Sequence, residues 1–455
     1  MRTKLIIFIT MLSLGFSAQA QTKVTVQTFK DNPDLVGGIY HKYVYEPSEQ
    51  PAVPAGYKPY FVEMISRHSS RYHTSPYRYV LVRQVLDEAS EKGGLTPFGE
   101  DMRVVFDRIA DEADGKDAAA SEIGKEEQRG IAERMFRSNK KLFSTKGALV
   151  RNFSSDKPRC FITMSTFDLK LAQLNPSMRV YQESDAVAQK LLREQTGSKS
   201  IQKQAKAETL AEIRKVLDRI GDDVLARLFK PGGCPFMDDP DKKAEFVRSL
   251  SDLSIIHQGY ADDRIDDMFT PEEKYALWEK VLPYRYLQYG ASYKYGDAVM
   301  ADGMVLIREL KKRAEDRIGG DEAIASLYFG HDYTVLSFIE AMQFDGKCVR
   351  TDDMEHLKDV WNDYELSPMS ANVQLIFYRN RKDDVIVKLM LNEKVCTIPL
   401  ESDMAPFYHW KDLSPYMQAQ VDKIASYPAV KALDIDAKRP VEVPAFGTFY
   451  SNYGK

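Results

Sequence analysis

The sequence predicts an α/β fold, a sheet flanked by helices and interrupted by an inserted, mainly α-helical cap domain. Three observations point there. Short apolar runs at 59–65 and 323–329 have strand composition, stop at polar residues, and lead toward helical spacing. Between about 178 and 312 the texture changes to long charged amphipathic helices with little strand pattern. Beyond them, Val373 to Tyr378 and Val385 to Leu391 alternate like paired strands around the turn Asn380-Arg381-Lys382-Asp383-Asp384. The expected division is a leader over 1–20, a first part of the core over 21–177, the helical insertion over 178–312, and a second part of the core over 313–455. At 455 residues and 44% hydrophobic, the chain can build a core of that size.

The N-terminus reads as a signal peptide. Arg2 and Lys4 give a positive end, Leu5 to Phe16 is largely apolar, and Ala18-Gln19-Ala20 has the pattern of a cleavage site. An exported protein, periplasmic or extracellular and without stable membrane insertion, is expected. Loss of Arg2 and Lys4 with the leader takes the formal net charge from −4 to −6, which gives no reason to expect nucleic acid as a partner. Cys160, Cys234, Cys348 and Cys396 lack the paired spacing of a zinc site, and free thiols or any of three disulfide pairings remain open. The chain carries no signal for its oligomeric state.

Residues 21 to 58, rich in proline and glycine, read as an irregular arm in which His41 has a packing or surface role. Tyr77 to Glu91 has helical spacing in Val80, Leu81, Val85 and Leu86, and a second helix opens at Thr96-Pro97, a cap followed by a first-turn proline. Ser121 caps an amphipathic helix running to Arg134, whose charges read as a solvated face. Ala148 to Phe153 reads as a strand, followed by a polar turn and a helix from about Pro158. In the insertion, Lys190, Arg193, Lys199, Lys203 and Lys206 read as a solvated helix face, and Tyr284, Tyr286, Tyr289, Tyr293 and Tyr295 as helix packing.

The chemistry gathers at strand ends. The run Pro59 to Ile65 stops at Arg67-His68-Ser69-Ser70-Arg71, and in an open α/β sheet that end faces a crevice. Two guanidiniums match phosphate oxygens pairwise, and a neutral imidazole nitrogen can attack phosphorus. A second run, Ala323 to Phe329, ends at Gly330-His331-Asp332. His73, His257, His356 and His409 have no supporting pattern.

Arg-His-x-x-Arg at one strand end, with His-Asp at a later one, resembles the histidine phosphatases, in particular their acid phosphatase and phytase branch. The resemblance implies a phosphoglycerate mutase-like sheet under a helical cap that walls the substrate pocket. It implies His68 as the nucleophile, Asp332 as the proton donor, and Arg67, Arg71, Arg159 and His331 as phosphate-binding residues, with neither cofactor nor metal. Ser69 stands where glycine is common in the family, and His331-Asp332 where the inositol polyphosphate phosphatases often have His-Ala-Glu. The implied function is a secreted phosphomonoesterase working through phosphohistidine, with phytate or another inositol phosphate the favoured substrate. Two alternatives are a phosphate-binding protein without turnover and a phosphohistidine-dependent mutase.

Overall fold

The computed structural model describes residues 23–236, 239–433 and 435. The leader features at Arg2, Lys4 and Ala18-Gln19-Ala20 lie outside the described residues. Among the described residues no helix is long and apolar enough to cross a membrane. All four cysteines carry free thiols.

One mixed sheet organises the chain. Its strands are β1 (Lys58–Arg67), β2 (Leu149–Ser154), β3 (Arg179–Glu183), β4 (Ala323–Gly330), β5 (Asn372–Arg379), β6 (Val385–Leu391), β7 (Lys394–Cys396) and β8 (Phe407–His409). They lie in the order β3-β2-β4-β1-β5-β6-β7, with β8 also on β6. From β3 to β1 the strands are parallel, whereas β5, β6 and β7 continue as an antiparallel meander.

Side-chain alternation builds a core on each face of this sheet. Phe61 and Ile65 of β1 join Val373, Leu375 and Phe377 of β5 beneath the helices Gly296–Ile318, Asp332–Met342 and Trp410–Ser426. Val62 and Met64 turn the other way, with Ile376 and Tyr378, toward the helices Glu122–Ser138 and Pro158–Leu174. A third apolar cluster is mainly helical. There Val82, Leu86, Phe106 and Ile109, from the two helices that follow β1, pack on Val224, Leu225 and Leu228 of the long helix Thr196–Leu228.

The elements depart from the sequence reading in three places. Strand β3 lies past residue 177, where that reading starts the helical insertion. Its five residues are exposed or half-exposed at the sheet margin, so apolar alternation is missing. In the helix Pro76–Glu91 the buried face is Tyr79, Val82, Val85, Leu86 and Ala89, and Val80 points to solvent. The arm over 21–58 holds a helix, Val26–Asp31, and a 3₁₀ stretch, Pro33–Tyr40, whose Phe29, Leu35, Val36 and Ile39 are buried. Gly38 breaks that stretch at φ +52°, and a Cβ there would come within 2.5 Å of an Asp363 oxygen. The caps are as expected: Thr96 accepts from the Gly99 N–H and Ser121 from the Gly124 N–H, each at 3.0 Å.

Candidate active site

Three neighbouring parallel strands deliver the predicted residues to one crevice. Arg67, last in β1, is level with Gly330, last in β4. His68 and His331 therefore leave adjacent strands at one height, with ring centroids 5.5 Å apart and planes at 81°. On the other side of β4, Ser154 of β2 pairs with Phe329. The chain then crosses Ser155, whose hydroxyl is 3.0 Å from His331 Nε2, and enters the Pro158 helix with Arg159 in its first turn. Arg67 Nη2 lies 3.9 Å from an Asp332 oxygen.

From Arg67 to Ser70 every N–H of the loop is donated. Arg67 N–H donates to Ala371, His68 N–H to Gly330, Ser69 N–H to the Thr163 hydroxyl and Ser70 N–H to the Glu127 carboxylate, at 2.8, 2.9, 3.1 and 3.0 Å. At these four residues an anion must therefore be held by side chains. This differs from sites where glycine-rich backbone cradles phosphate. Glu127 also accepts from the hydroxyls of Ser70 and Ser370, each at 2.6 Å, and from Tyr43 N–H at 2.9 Å. Ser370 N–H in turn donates to the His68 carbonyl at 3.1 Å. Glu127 is buried and braces the loop, which corrects the solvated-face reading at that position.

Charge and burial set the protonation states. His68 Nδ1 lies 3.0 Å from the Ser69 carbonyl, which only accepts, so Nδ1 carries the proton and Nε2 a free lone pair. Burial, reinforced by Arg159, Arg67 and Arg71, holds the His68 pKa well below the usual histidine value. Burial and Arg159 hold His331 at about 3, and Tyr333 stacks on its ring at 4.9 Å. Burial pushes the Asp332 carboxyl up, but Arg67, Arg285 and His331 outweigh it and leave the group below its ordinary value. Arg67 donates to the Ser367 carbonyl at 2.6 Å and to Ile39. The Nε–H groups of Arg67, Arg71 and Arg159 are buried and have no hydrogen-bond partner. Buried cationic N–H donors left without a partner can be satisfied by an anion.

No protein-family model and no curated protein matches the sequence. Solved structures do. The Bifidobacterium longum multiple inositol polyphosphate phosphatase in complex with phosphate superposes at TM-score 0.67 and 16% identity, over 85% of this chain and 98% of that one. Its complex with inositol hexasulfate gives 0.66 over 84% and 97%. A phytase from D. castellii gives 0.65 at 15% identity over 85% of both chains. The chain has the inositol polyphosphate phosphatase and phytase fold.

Within that phytase-type fold two more residues reach the crevice, and the sequence reading missed both. Arg285 lies inside the aromatic run assigned to packing. Its guanidinium carbon is 5.5 Å from the Tyr40 ring centroid, as is that of Arg71. Burial raises the Tyr40 phenol, but Arg285 and Arg71 outweigh it and leave it below its usual value. A charge amid tyrosines was the available signal for Arg285; Tyr40, in the arm, had none. Tyr286 of the same run is buried, as the packing reading expects, whereas Tyr293 is exposed. Arg193 of the basic group also acts on His331 and lies 3.6 Å from Asp156. A cavity of about 890 Å³ adjoins the crevice at Tyr40, His73 and Arg285, and runs between the helices Thr196–Leu228, Pro240–Ser254 and Pro271–Tyr289 past Lys206 and Arg214.

Proposed function

We propose that the protein is a phosphoric monoester hydrolase of the histidine acid phosphatase type. The observation that carries this is a neutral His68 with a free Nε2, surrounded by three arginines with unpaired buried donors. In the first step Nε2 forms a bond to phosphorus as the ester P–O bond breaks, and Asp332 gives the departing oxygen its proton. Arg67, Arg71 and Arg159 hold the phosphoryl oxygens through the transfer. His331, held neutral by burial and Arg159, joins them, with its Nε2 3.0 Å from the Ser155 hydroxyl. In the second step water attacks the phosphohistidine, the Asp332 carboxylate takes its proton, and inorganic phosphate leaves with His68 restored. No step draws on a cofactor or a metal.

The substrate class we assign is inositol phosphates, phytate among them. The names of the similar structures and the large cavity beside the crevice support it. In this reading the helices between β3 and Gly296 form a cap that walls the pocket, and the leader directs the protein out of the cytoplasm. The experiment is phosphate release from an aryl phosphate and from phytate, with chelator, in wild type and His68→Ala. Release by wild type alone is expected. Retention of bound phosphate without turnover would favour the binding-protein alternative, and transfer to an acceptor alcohol without net release would favour the mutase.

A further inference from the structure

Among the described residues, five exposed large apolar side chains lie on β3 and on the helices that flank it. Phe161, Ile162, Leu169, Tyr181 and Val187 are 42%, 41%, 66%, 55% and 56% exposed, and all belong to the segment around β3. Exposed apolar residues that flank an open sheet margin call for an explanation.

Strand β3 is that margin. It pairs with β2 on one side only. Arg179 N–H donates to the Ala148 carbonyl at 2.8 Å in a parallel register of Arg179 with Leu149. Arg179, Tyr181 and Glu183 therefore spend their backbone groups on β2, and Val180 and Gln182 turn theirs outward. Among the described residues nothing hydrogen-bonds to these outward groups. Natural sheets blunt open edges with charges that repel a second strand. Here the charges do the opposite for one geometry.

We infer that β3 is the contact strand of a symmetric dimer, pairing antiparallel with β3 of a second copy about a two-fold axis at Tyr181. In that register Val180 faces Gln182 of the second copy, and the reverse. Two N–H and two C=O groups from each copy then close four backbone hydrogen bonds. Arg179 faces Glu183 of the second copy twice, and the two Tyr181 side chains meet across the axis as a close, non-hydrogen-bonded pair. A slip of one residue opposes inward to outward groups and parts the charges. A parallel arrangement would set arginine on arginine.

The flanking helix adds apolar area. Pro158–Leu174 is the crossover between β2 and β3, and Gln182 Nε2 reaches its Asp168 at 2.7 Å. The exposed Phe161, Ile162 and Leu169 lie on this helix, and continuing the sheet brings it beside its symmetry mate. Arg179 also has an ion pair within its own chain, to Glu322 at 2.7 Å. Both side chains are exposed, so the arginine can exchange partners at little cost.

The test is the molar mass of the full chain in solution by light scattering and sedimentation across a concentration series, for wild type, Arg179→Glu and the double variant Arg179→Glu with Glu183→Arg. A dimer is expected for wild type. The single variant, opposing like charges twice, should raise its dissociation constant by about tenfold, and the double variant should restore it. Phosphatase activity per chain should stay unchanged, because Arg179 is outside the crevice. A single-chain mass at every concentration, an Arg179→Glu variant that dimerises like wild type, or a double variant that fails to recover would each overturn the inference.

Discussion

The proposed chemistry asks Asp332 for a proton that the free protein does not hold there, because Arg67 and Arg285 outweigh its burial. The group must gain the proton at acidic pH or as a phosphate dianion enters beside it and opposes the arginines. Its burden depends on the leaving group, since an alkoxide needs protonation and a phenolate does not. In Asp332→Asn, kcat for an alkyl phosphate should fall by about 10²- to 10⁴-fold, and kcat for an activated aryl phosphate far less. Equal losses on both would remove Asp332 from the role of acid. In wild type, activity on the alkyl ester should decline as pH rises and the loaded acid is lost, whereas His68 stays neutral well below its ordinary value. At this scale Arg67, His68, Arg71, His331 and Asp332 were legible, because short linear motifs carry them. Arg285 and Tyr40 were not. Each reaches the crevice through tertiary packing; the tyrosines around Arg285 were a local signal, and Tyr40 had none.

Elements explain why the motifs meet. β1 and β4 are adjacent and in register at their ends, so two histidines far apart in sequence stand 5.5 Å apart. Proline and hydroxyl caps made the helix starts at Pro97, Glu122 and Pro158 readable, since their signals are local. Strand β3 was not readable, because a sheet margin needs no apolar alternation. The helix Glu122–Ser138 shows the same limit in another form. Its charge pattern resembles a solvated face, yet Gly124 lets it approach the loop so closely that a Cβ would come within 2.2 Å of the Ser70 carbonyl oxygen. Glu127 one turn on then takes the Ser70 N–H. Because every N–H from Arg67 to Ser70 is already donated, this docking, and not the loop alone, sets where the guanidiniums point.

Across the whole molecule, buried titratable groups of two kinds oppose each other. His331 at about 3 and His73 at about 4, both lowered by burial and neighbouring arginines, take protons first in the unfolded chain. Their stabilisation is complete above the unfolded histidine value of about 6.5 and is lost as pH falls toward the folded values. Glu340, raised by burial to about 8, has the opposite sign. It stabilises below the unfolded carboxyl value of about 4.3 and loses that contribution as pH rises toward its folded value. Each unit of such a difference is worth about 1.4 kcal/mol. Below about 6.5 the two histidines outweigh the one glutamate, and above it only Glu340 still titrates, so for these groups thermal stability should peak at about 6.5. Glu340→Gln should flatten the alkaline decline in Tm, and a wild-type maximum above neutrality would contradict this balance. The two-faced sheet core and the helical middle were legible from alternation and texture. The third core, which joins the two helices after β1 to the insertion, was not, because it unites helices distant in sequence.

The central claim is that His68 forms a covalent bond to phosphorus, and the most direct measurement is to trap that bond. Wild type and His68→Ala would be mixed with substrate under single-turnover conditions, quenched in alkali, which preserves phosphohistidine, and mapped by peptide mass spectrometry. The account predicts a phosphoryl group on the peptide containing His68, on Nε2, rising and decaying as phosphate is released, and absent from the variant. Turnover with no phosphorylated peptide, or a phosphoryl group on another residue, would contradict it.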